Sequence, residues 1–249
     1  MLWGSYGIVH IATLLLSAAI ITGLYFILKN RSDKTKTIVL FILSFSGISA
    51  IIFNLVTWNS PIEYLPFHMC SITAMLLPFA VITKNKVINN LLLLWCVGAL
   101  IALVLNQAQA EYEILSWTFF FYYFPHTLEV GIPILMFALG LTKKKLIHIA
   151  TTLALTAGIY TCVHLINVYL NSYAVANNVV DWAGNIVKLN YMYSIDPTNP
   201  VLQMMYNLIP HPYWYMFVAT PFIVLYLCIV YLPEIIRAIK NKKNQNVSN

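Results

Sequence analysis

Charge is scarce in this chain. Lys, Arg, Asp and Glu make up 9% of its 249 residues, whereas about a quarter of a soluble domain is charged. Apolar residues make up 60% of the chain. This balance excludes a soluble globular domain and predicts an integral membrane protein, whose helices each need about 20 apolar residues to cross the hydrocarbon core.

Cysteine is scarce as well, and no internal repeat stands out. The four cysteines lie singly in apolar runs and at no metal-finger spacing, which speaks against a disulfide framework. The lack of a repeat gives no support to an inverted-repeat transporter. The first apolar run lacks a basic segment before it and an A-x-A site after it, so we expect it to be retained rather than cleaved as a signal peptide.

The apolar runs predict an all-α polytopic bundle of seven transmembrane helices in a single domain, residues 1–249. Between the sixth and seventh helices, residues 171–211 keep tyrosines, methionines and leucines together with D-P and N-P turn signals. This composition predicts an ordered, lid-like segment rather than a tether. The predicted spans are 8–28, 37–57, 65–83, 87–106, 117–141, 146–169 and 212–233.

The basic residues predict the orientation. Thirteen of the 14 Lys and Arg residues lie in alternate loops, with Lys188 alone on the other side. The positive-inside rule places the N-terminus outside and the C-terminus in the cytoplasm of a multi-pass plasma membrane protein. The net charge of +6 follows from this asymmetry. Membrane lipids are therefore the predicted partners, and no nucleic acid is needed to explain the positive charge. The sequence does not give the oligomeric state.

The third predicted span opens P-F-H-M-C, which makes Cys70 a candidate nucleophile. Pro66 suits the first turn of a helix, so Cys70 is expected near the positive end of the helix dipole, where the reactive thiolate is favoured. The alternative is that Cys70 is a small buried apolar residue. His68 lies two residues away, and a regular helix would point the two side chains about 200° apart.

The fifth predicted span contains a histidine at roughly the depth of Cys70, together with a glutamate. His126 and Glu129 are three residues apart and share a helical face. Glu129 is expected to orient the imidazole, while Pro125 and Pro133 are expected to bend or break the helix. Ionisable groups at membrane depth are costly and usually functional. The alternative is a local pair that only satisfies two polar groups.

Further polar residues lie near the outer ends of other spans. His164 and Asn167 are three apart in the sixth span, and Asn54 lies near the end of the second. Such groups are candidate hydrogen-bond donors to a lipid head group or to a developing oxyanion. Solvation at the interface is the alternative for each of them.

The order of these motifs resembles that of the bacterial YwaF-like integral membrane proteins over nearly the whole chain. The motifs are Pro66, His68 and Cys70, then His126, then N-Y-M at Asn190, Tyr191 and Met192, and P-Y-W-Y at 212–215. That family is similar to a vertebrate membrane acyltransferase of ether phospholipids, which uses cysteine and histidine, and to the androgen-induced membrane hydrolases. The resemblance implies that Cys70 is the nucleophile and His126 the base. It implies no particular lipid.

Three functions stay open at this point. The first is a lipid acyltransferase or ester hydrolase that uses Cys70 and His126, with Asn190 and Tyr191 among its supporting residues. The second is a non-enzymatic protein that binds or transports a lipid or small solute in a cavity lined by histidines. The third, a metal held by Cys70 with histidines, has the ligand types but no diagnostic spacing, so neither a metal nor a cofactor is predicted.

The orientation is directly testable. A cysteine probe at Asn178 should react with a membrane-impermeant label added from outside, because residue 178 follows the sixth span. A probe at Lys144 should be protected, because the triple lysine marks the cytoplasmic side. The reverse labelling pattern would overturn the predicted orientation.

Overall fold

Helices account for almost all of the regular structure. The computed structural model describes residues 1–58, 60–106, 109–181 and 183–247, with side chains as far as residue 241. Within those ranges there are no strands, and only Leu2–Glu113 and Val180–Ile186 form isolated β-bridges. The prediction of an all-α chain is confirmed.

The described part of the chain forms ten α-helices and three short 3₁₀ turns. The first helix has the predicted bounds, whereas the sixth predicted span extends seven residues further, to Ala176. The helices are α1 (Ile8–Leu28), α2 (Asp33–Ser44), α3 (Ser46–Thr57), α4 (Met69–Thr83), α5 (Lys86–Val104), α6 (Trp117–Ala138), α7 (Ile147–Ala176), α8 (Pro200–Leu208), α9 (Thr220–Val230) and α10 (Leu232–Val247). The 3₁₀ turns are Pro61–Tyr64, Tyr191–Tyr193 and Trp214–Ala219.

Four of the described helical segments are long and apolar enough to cross a membrane. They are α1, α2 with α3, α5 and α7, and a fifth is added if the pair Trp214–Val230 and Leu232–Asn241, bent by 65°, counts as one span. The helix α4 has 15 residues, and at 1.5 Å per residue it is about 22 Å long, short of the ~30 Å hydrocarbon core. The helix α6 is long enough, but its prolines, His126 and Glu129 lower its hydropathy. Seven spans are therefore not confirmed.

The chain divides into two compact units. The first comprises Met1–Thr142 with Val180–Ile186 and contains α1 to α6, and the second comprises Lys143–Val179 with Val187–Asn249 and contains α7 to α10. The lid-like segment predicted at 171–211 includes the end of α7, one 3₁₀ turn and all of α8. The single domain predicted over the whole chain stays a prediction.

The helix α6 lies at the centre of the first unit. It packs against each of α1 to α5. Leu40, Ala80, Leu92 and Ile132, on four different helices, are fully buried in the resulting apolar core. A helix surrounded in this way can keep its polar side chains inside the bundle, away from lipid. Membrane proteins tolerate such side chains in the bundle interior.

Buried hydrogen bonds attach the N-terminal segment to this bundle. The Trp3 indole is 1% exposed and donates to Thr13 Oγ1 at 2.8 Å. His10 Nδ1 accepts the Tyr6 N–H at 2.9 Å, and its Nε2 contacts the Leu103 carbonyl at 2.8 Å. Because a backbone N–H donates and a carbonyl accepts, the His10 ring carries its proton on Nε2. His10 thus has a structural role in joining α1 to the end of α5.

A glycine allows α3 to approach α4 and α6 closely. A Cβ added at Gly47 would lie 2.5 Å from the Ala74 Cβ and 3.1 Å from Glu129 Oε1. Real Cβ atoms do not approach other carbons that closely, so any side chain at this position would force the helices apart.

Gly47→Ala should therefore lower the free energy of unfolding by about 1–3 kcal/mol, the usual cost of overpacking a core. The measurement is thermal unfolding of the detergent-purified protein, followed by circular dichroism. Gly23→Ala is the matched control, because its Cβ would meet nothing within 4 Å. That variant should be neutral, or more stable by up to about 1 kcal/mol, because alanine favours a helix interior. Equal stability of Gly47→Ala and the wild type would contradict the proposed close approach.

Candidate functional site

Cys70 is the second residue of α4. The helix begins at Met69, and His68 precedes it as an extended N-cap residue with φ −69° and ψ 151°. The predicted position of Cys70 in the first turn is confirmed. Pro66, however, lies before the helix and not in its first turn. The cause is a tight turn in which the Phe67 N–H donates to the Leu65 carbonyl at 2.7 Å, so the helix starts only after the chain has changed direction.

The imidazole of His126 is oriented by the backbone of its own helix. Its Nδ1 lies 2.7 Å from the carbonyl oxygen of Tyr122, one turn earlier on α6. A carbonyl can only accept a hydrogen bond, so Nδ1 carries the proton and the neutral ring keeps its lone pair on Nε2. The helix α6 continues past both Pro125 and Pro133. The orienting role expected of Glu129 is thus filled by the Tyr122 carbonyl.

Three reactive groups converge where α4 meets α6. The Sγ of Cys70, a ring nitrogen of His126 and a carboxylate oxygen of Glu129 all lie within 4.8 Å of one another. Cys70 and His126 are half-buried, and Glu129 is 3% exposed. Side-chain movements would be needed to bring the thiol and the imidazole from this separation into the hydrogen-bond reach that a nucleophile and its base use.

The carboxyl group of Glu129 has an unusual environment. Its Oε2 is buried and has no hydrogen-bond partner among the described residues. Its other side faces Gly47 of α3, so three helices enclose it. Because a bare carboxylate is costly to bury, a proton or a cation must neutralise this group.

Thr73 is a fourth polar group that the sequence analysis missed. It lies three residues after Cys70 on α4, is 2% exposed, and its Oγ1 has no hydrogen-bond partner within the described ranges. The spacing of three residues, which places Thr73 and Cys70 on one helical face, is the signal that would have revealed it.

An apolar groove includes Pro125, the residue before His126, in its lining. The groove volume is about 270 Å³. Aromatic rings of α6 and aliphatic side chains of α2 provide most of the surface. The lining residues are Ile42, Leu43, Phe45, Ser46, Ser49, Phe120, Phe121, Phe124 and Pro125.

Two other predicted site residues, His68 and Asn54, belong to the first unit. His68 is the N-cap residue of α4 and is not one of the three residues whose ligand atoms converge. Asn54 is half-buried on α3. Its neighbour Phe53 stacks on Phe121 of α6 with ring centroids 4.4 Å apart.

The remaining predicted site residues belong to the second unit, where they hold the chain around residues 190–196. Asn167 is fully buried; it donates to the Tyr191 carbonyl and to Ser194 Oγ, and accepts the Tyr191 N–H. His164 Nδ1 contacts Ser194 Oγ at 3.1 Å. Asn190 makes three hydrogen bonds to the backbone of residues 195–196.

The comparison with protein families covers most of the chain. The TMEM164 family matches residues 5–231. The chain belongs to this family of membrane proteins. Its matched region extends from the N-terminal segment to the end of α9 and includes Cys70, His126 and Glu129. No curated protein and no solved structure matches the chain. The YwaF-like, acyltransferase and hydrolase resemblances are not confirmed by these comparisons.

Asn167→Ala should destabilise the second unit of this TMEM164 family member. The change leaves the Tyr191 N–H without its buried partner, which costs about 1–3 kcal/mol. Limited proteolysis should then cleave faster within residues 190–199. Asn177→Ala is the control, because Asn177 is exposed and bonds only to the Tyr173 carbonyl of its own helix. If both variants resist protease as the wild type does, Asn167 does not support this segment.

Proposed function

We propose that this protein is a membrane enzyme that transfers acyl groups from a lipid ester, with Cys70 as the nucleophile and His126 as the base. The observation that carries the proposal is the approach of the thiol, imidazole and carboxyl groups to within 4.8 Å. The motif resemblance described from the sequence supports the same assignment. The acyl donor and the acceptor are each assigned to a class of compound and not to a single lipid.

The first half-reaction makes a thioester. The Nε2 of His126 accepts the thiol proton, and the Cys70 sulfur attacks the carbonyl carbon of the lipid ester. The tetrahedral intermediate then collapses, the ester C–O bond breaks, and the leaving alcohol takes the proton from the imidazolium. The products are acyl-Cys70 and a lipid that has lost one acyl chain.

The second half-reaction releases the acyl group. A hydroxyl group, from a lysolipid or from water, gives its proton to Nε2 and attacks the thioester carbonyl. The C–S bond breaks, and the Cys70 sulfur takes back the proton. A lysolipid acceptor makes the protein an acyltransferase, whereas water makes it a hydrolase.

The start of α4 supports the negative charge that develops in both steps. The first backbone hydrogen bond of the helix joins the Ile72 N–H to the His68 carbonyl at 3.0 Å. The N–H groups before Ile72 have no partner within the helix, and they lie next to Cys70 at the positive end of the dipole. Backbone donors in such a position stabilise an oxyanion without having to reorganise. Asn54 and Thr73 are additional candidate donors.

The apolar groove supports a substrate with a hydrocarbon chain. Its lining is mostly phenylalanine and aliphatic residues and includes Pro125, the residue before His126. An acyl chain bound there would lie along the part of α6 that carries the proposed base. Sites for apolar ligands have this character, with a few polar groups at one end.

We also propose that all seven predicted spans cross the plasma membrane, with the N-terminus outside. The two helices that fall short of the usual length or hydropathy, α4 and α6, pack among the other helices of the first unit. A helix shielded by protein can carry Pro125, His126 and Glu129 because these residues do not face lipid. In this arrangement Cys70 and His126 lie in the outer half of the membrane, and residues 171–211 lie on the outer side.

Cys70→Ala should abolish formation of an acylated protein. The measurement is intact-protein mass spectrometry after incubation of the metal-free protein with phosphatidylethanolamine that carries an isotope-labelled acyl chain. His126→Ala should lower the acylation rate by about 10²–10⁴-fold, the usual contribution of a general base. Glu129→Gln should have a smaller effect, because the Tyr122 carbonyl already orients the imidazole.

Cys162→Ala provides the control, since Cys162 is an exposed cysteine of the second unit and its removal should leave acylation unchanged. Full activity of Cys70→Ala would remove the nucleophile. The alternative of a non-enzymatic lipid binder would then be preferred, in which the labelled lipid is retained without a covalent adduct.

A further inference from the structure

The three converging groups are also ligands for one class of metal ion. Thiolate, imidazole and carboxylate are the side chains that hold Zn²⁺, with metal–ligand bonds of about 2.0–2.3 Å. Two ligand atoms on one such ion are therefore separated by less than twice that bond length. The Sγ of Cys70, the nitrogen of His126 and the oxygen of Glu129 already lie within 4.8 Å of one another, so rotations of side chains would bring them to a common ion.

The hydrogen bond of His126 supports a metal ligand independently. Histidines that bind metals almost always donate their other ring N–H to a carboxylate or a backbone carbonyl, which fixes the tautomer. The Nδ1 of His126 makes such a bond to the Tyr122 carbonyl at 2.7 Å. The lone pair on Nε2 is thereby left available to a cation.

Glu129 provides the second independent observation. Its Oε2 is buried and has no hydrogen-bond partner within the part of the chain that the structure describes. Hydrogen bonds within the protein therefore do not account for this carboxyl group. A coordinated cation would satisfy an oxygen that otherwise has no partner.

The charges of the three groups balance one divalent cation. A thiolate and a carboxylate contribute two negative charges, and a neutral imidazole contributes none. Binding of Zn²⁺ with release of the thiol proton and of the carboxyl proton of Glu129 therefore gives a cluster of zero net charge, which costs far less to bury than any isolated ion. Three protein ligands leave the fourth tetrahedral position open for water.

We propose that Cys70, His126 and Glu129 form a Zn²⁺ site, and that zinc inhibits the protein reversibly by occupying the thiolate. Metal binding does not depend on the proposed acyl transfer, whereas the inhibitory role rests on that proposed function. The same sulfur cannot serve as a zinc ligand and as a free nucleophile, and the same Nε2 cannot bind zinc and accept a proton. The zinc-bound and reactive states therefore exclude each other.

The test of the site is direct metal binding to the full-length protein in detergent. After removal of metals, the wild type should bind one zinc per chain, measured by elemental analysis after gel filtration. Co²⁺ used in place of zinc should give a sulfur-to-metal charge-transfer absorption, which only a coordinated thiolate produces. Cys70→Ala should lose this absorption, and the isosteric Glu129→Gln should weaken the affinity for zinc at least tenfold. The controls Cys162→Ala and His211→Ala should bind as the wild type does.

Alkylation of Cys70 gives a readout that requires no variant to fold. Zinc should slow alkylation of Cys70 in the wild type at least tenfold, a chelator should restore the rate, and Mg²⁺ should have no effect because it prefers oxygen ligands. Alkylation of Cys162 in the same sample should be unchanged. Absence of stoichiometric zinc, or unaltered alkylation of Cys70 in its presence, would overturn the metal site.

The outcomes separate this inference from the proposed enzyme. Acylation of Cys70 is measured on metal-free protein, so a zinc site can be found in a protein that never acylates. An acylating protein that binds no zinc would overturn the metal site alone. If both are present, added zinc should suppress acylation with the same concentration dependence as it protects Cys70, and acylation at full rate by the zinc-loaded protein would overturn the inhibition.

Discussion

The burial of one carboxyl group between three helices is the constraint on which the arrangement of the first unit depends. Glu129 is 3% exposed, and the close approach of α3 to it is possible because residue 47 is glycine. A charged or protonated carboxyl group inside an apolar bundle is kept only at a cost in stability. That cost is explained if Glu129 acts on the thiol and imidazole beside it, because an apolar side chain of similar volume would avoid the cost.

Much of the fold could be predicted because apolar runs and helix lengths follow directly from composition. The bounds of α1 agree with the predicted span, and the pairing of His126 with Glu129 follows from a spacing of three residues on α6. The start of α4 could not be predicted from Pro66, because the turn at 65–67 depends on a local backbone hydrogen bond. Periodicity likewise says nothing about contacts between helices, so the approach of Cys70 to His126 needed the structure.

The buried polar residues fall into two groups according to their hydrogen bonds. Asn167 and Asn190 use their amides to hold the backbone of residues 190–196, as buried amides in loops usually do. Glu129 and Thr73 have buried oxygens without partners among the described residues. A sequence cannot distinguish these two groups. The same residue type can hold a backbone segment in one place and have an unpaired oxygen in another. Only the hydrogen-bond partners of each atom distinguish a polar group with a structural role from one that is unpaired.

The tautomer of His126 determines which of its ring nitrogens is available for chemistry at the site. Because the Tyr122 carbonyl binds the Nδ1 proton, the ring needs no carboxylate to hold it, and Nε2 keeps its lone pair. Glu129 is therefore not required to hold the ring. In the proposed acyl transfer, a proton moved from Cys70 to His126 creates an ion pair, which a neutral Glu129 permits. In the proposed zinc site, an ionised Glu129 beside the thiolate requires a cation, so the two proposed states of Cys70 differ in the charge on Glu129.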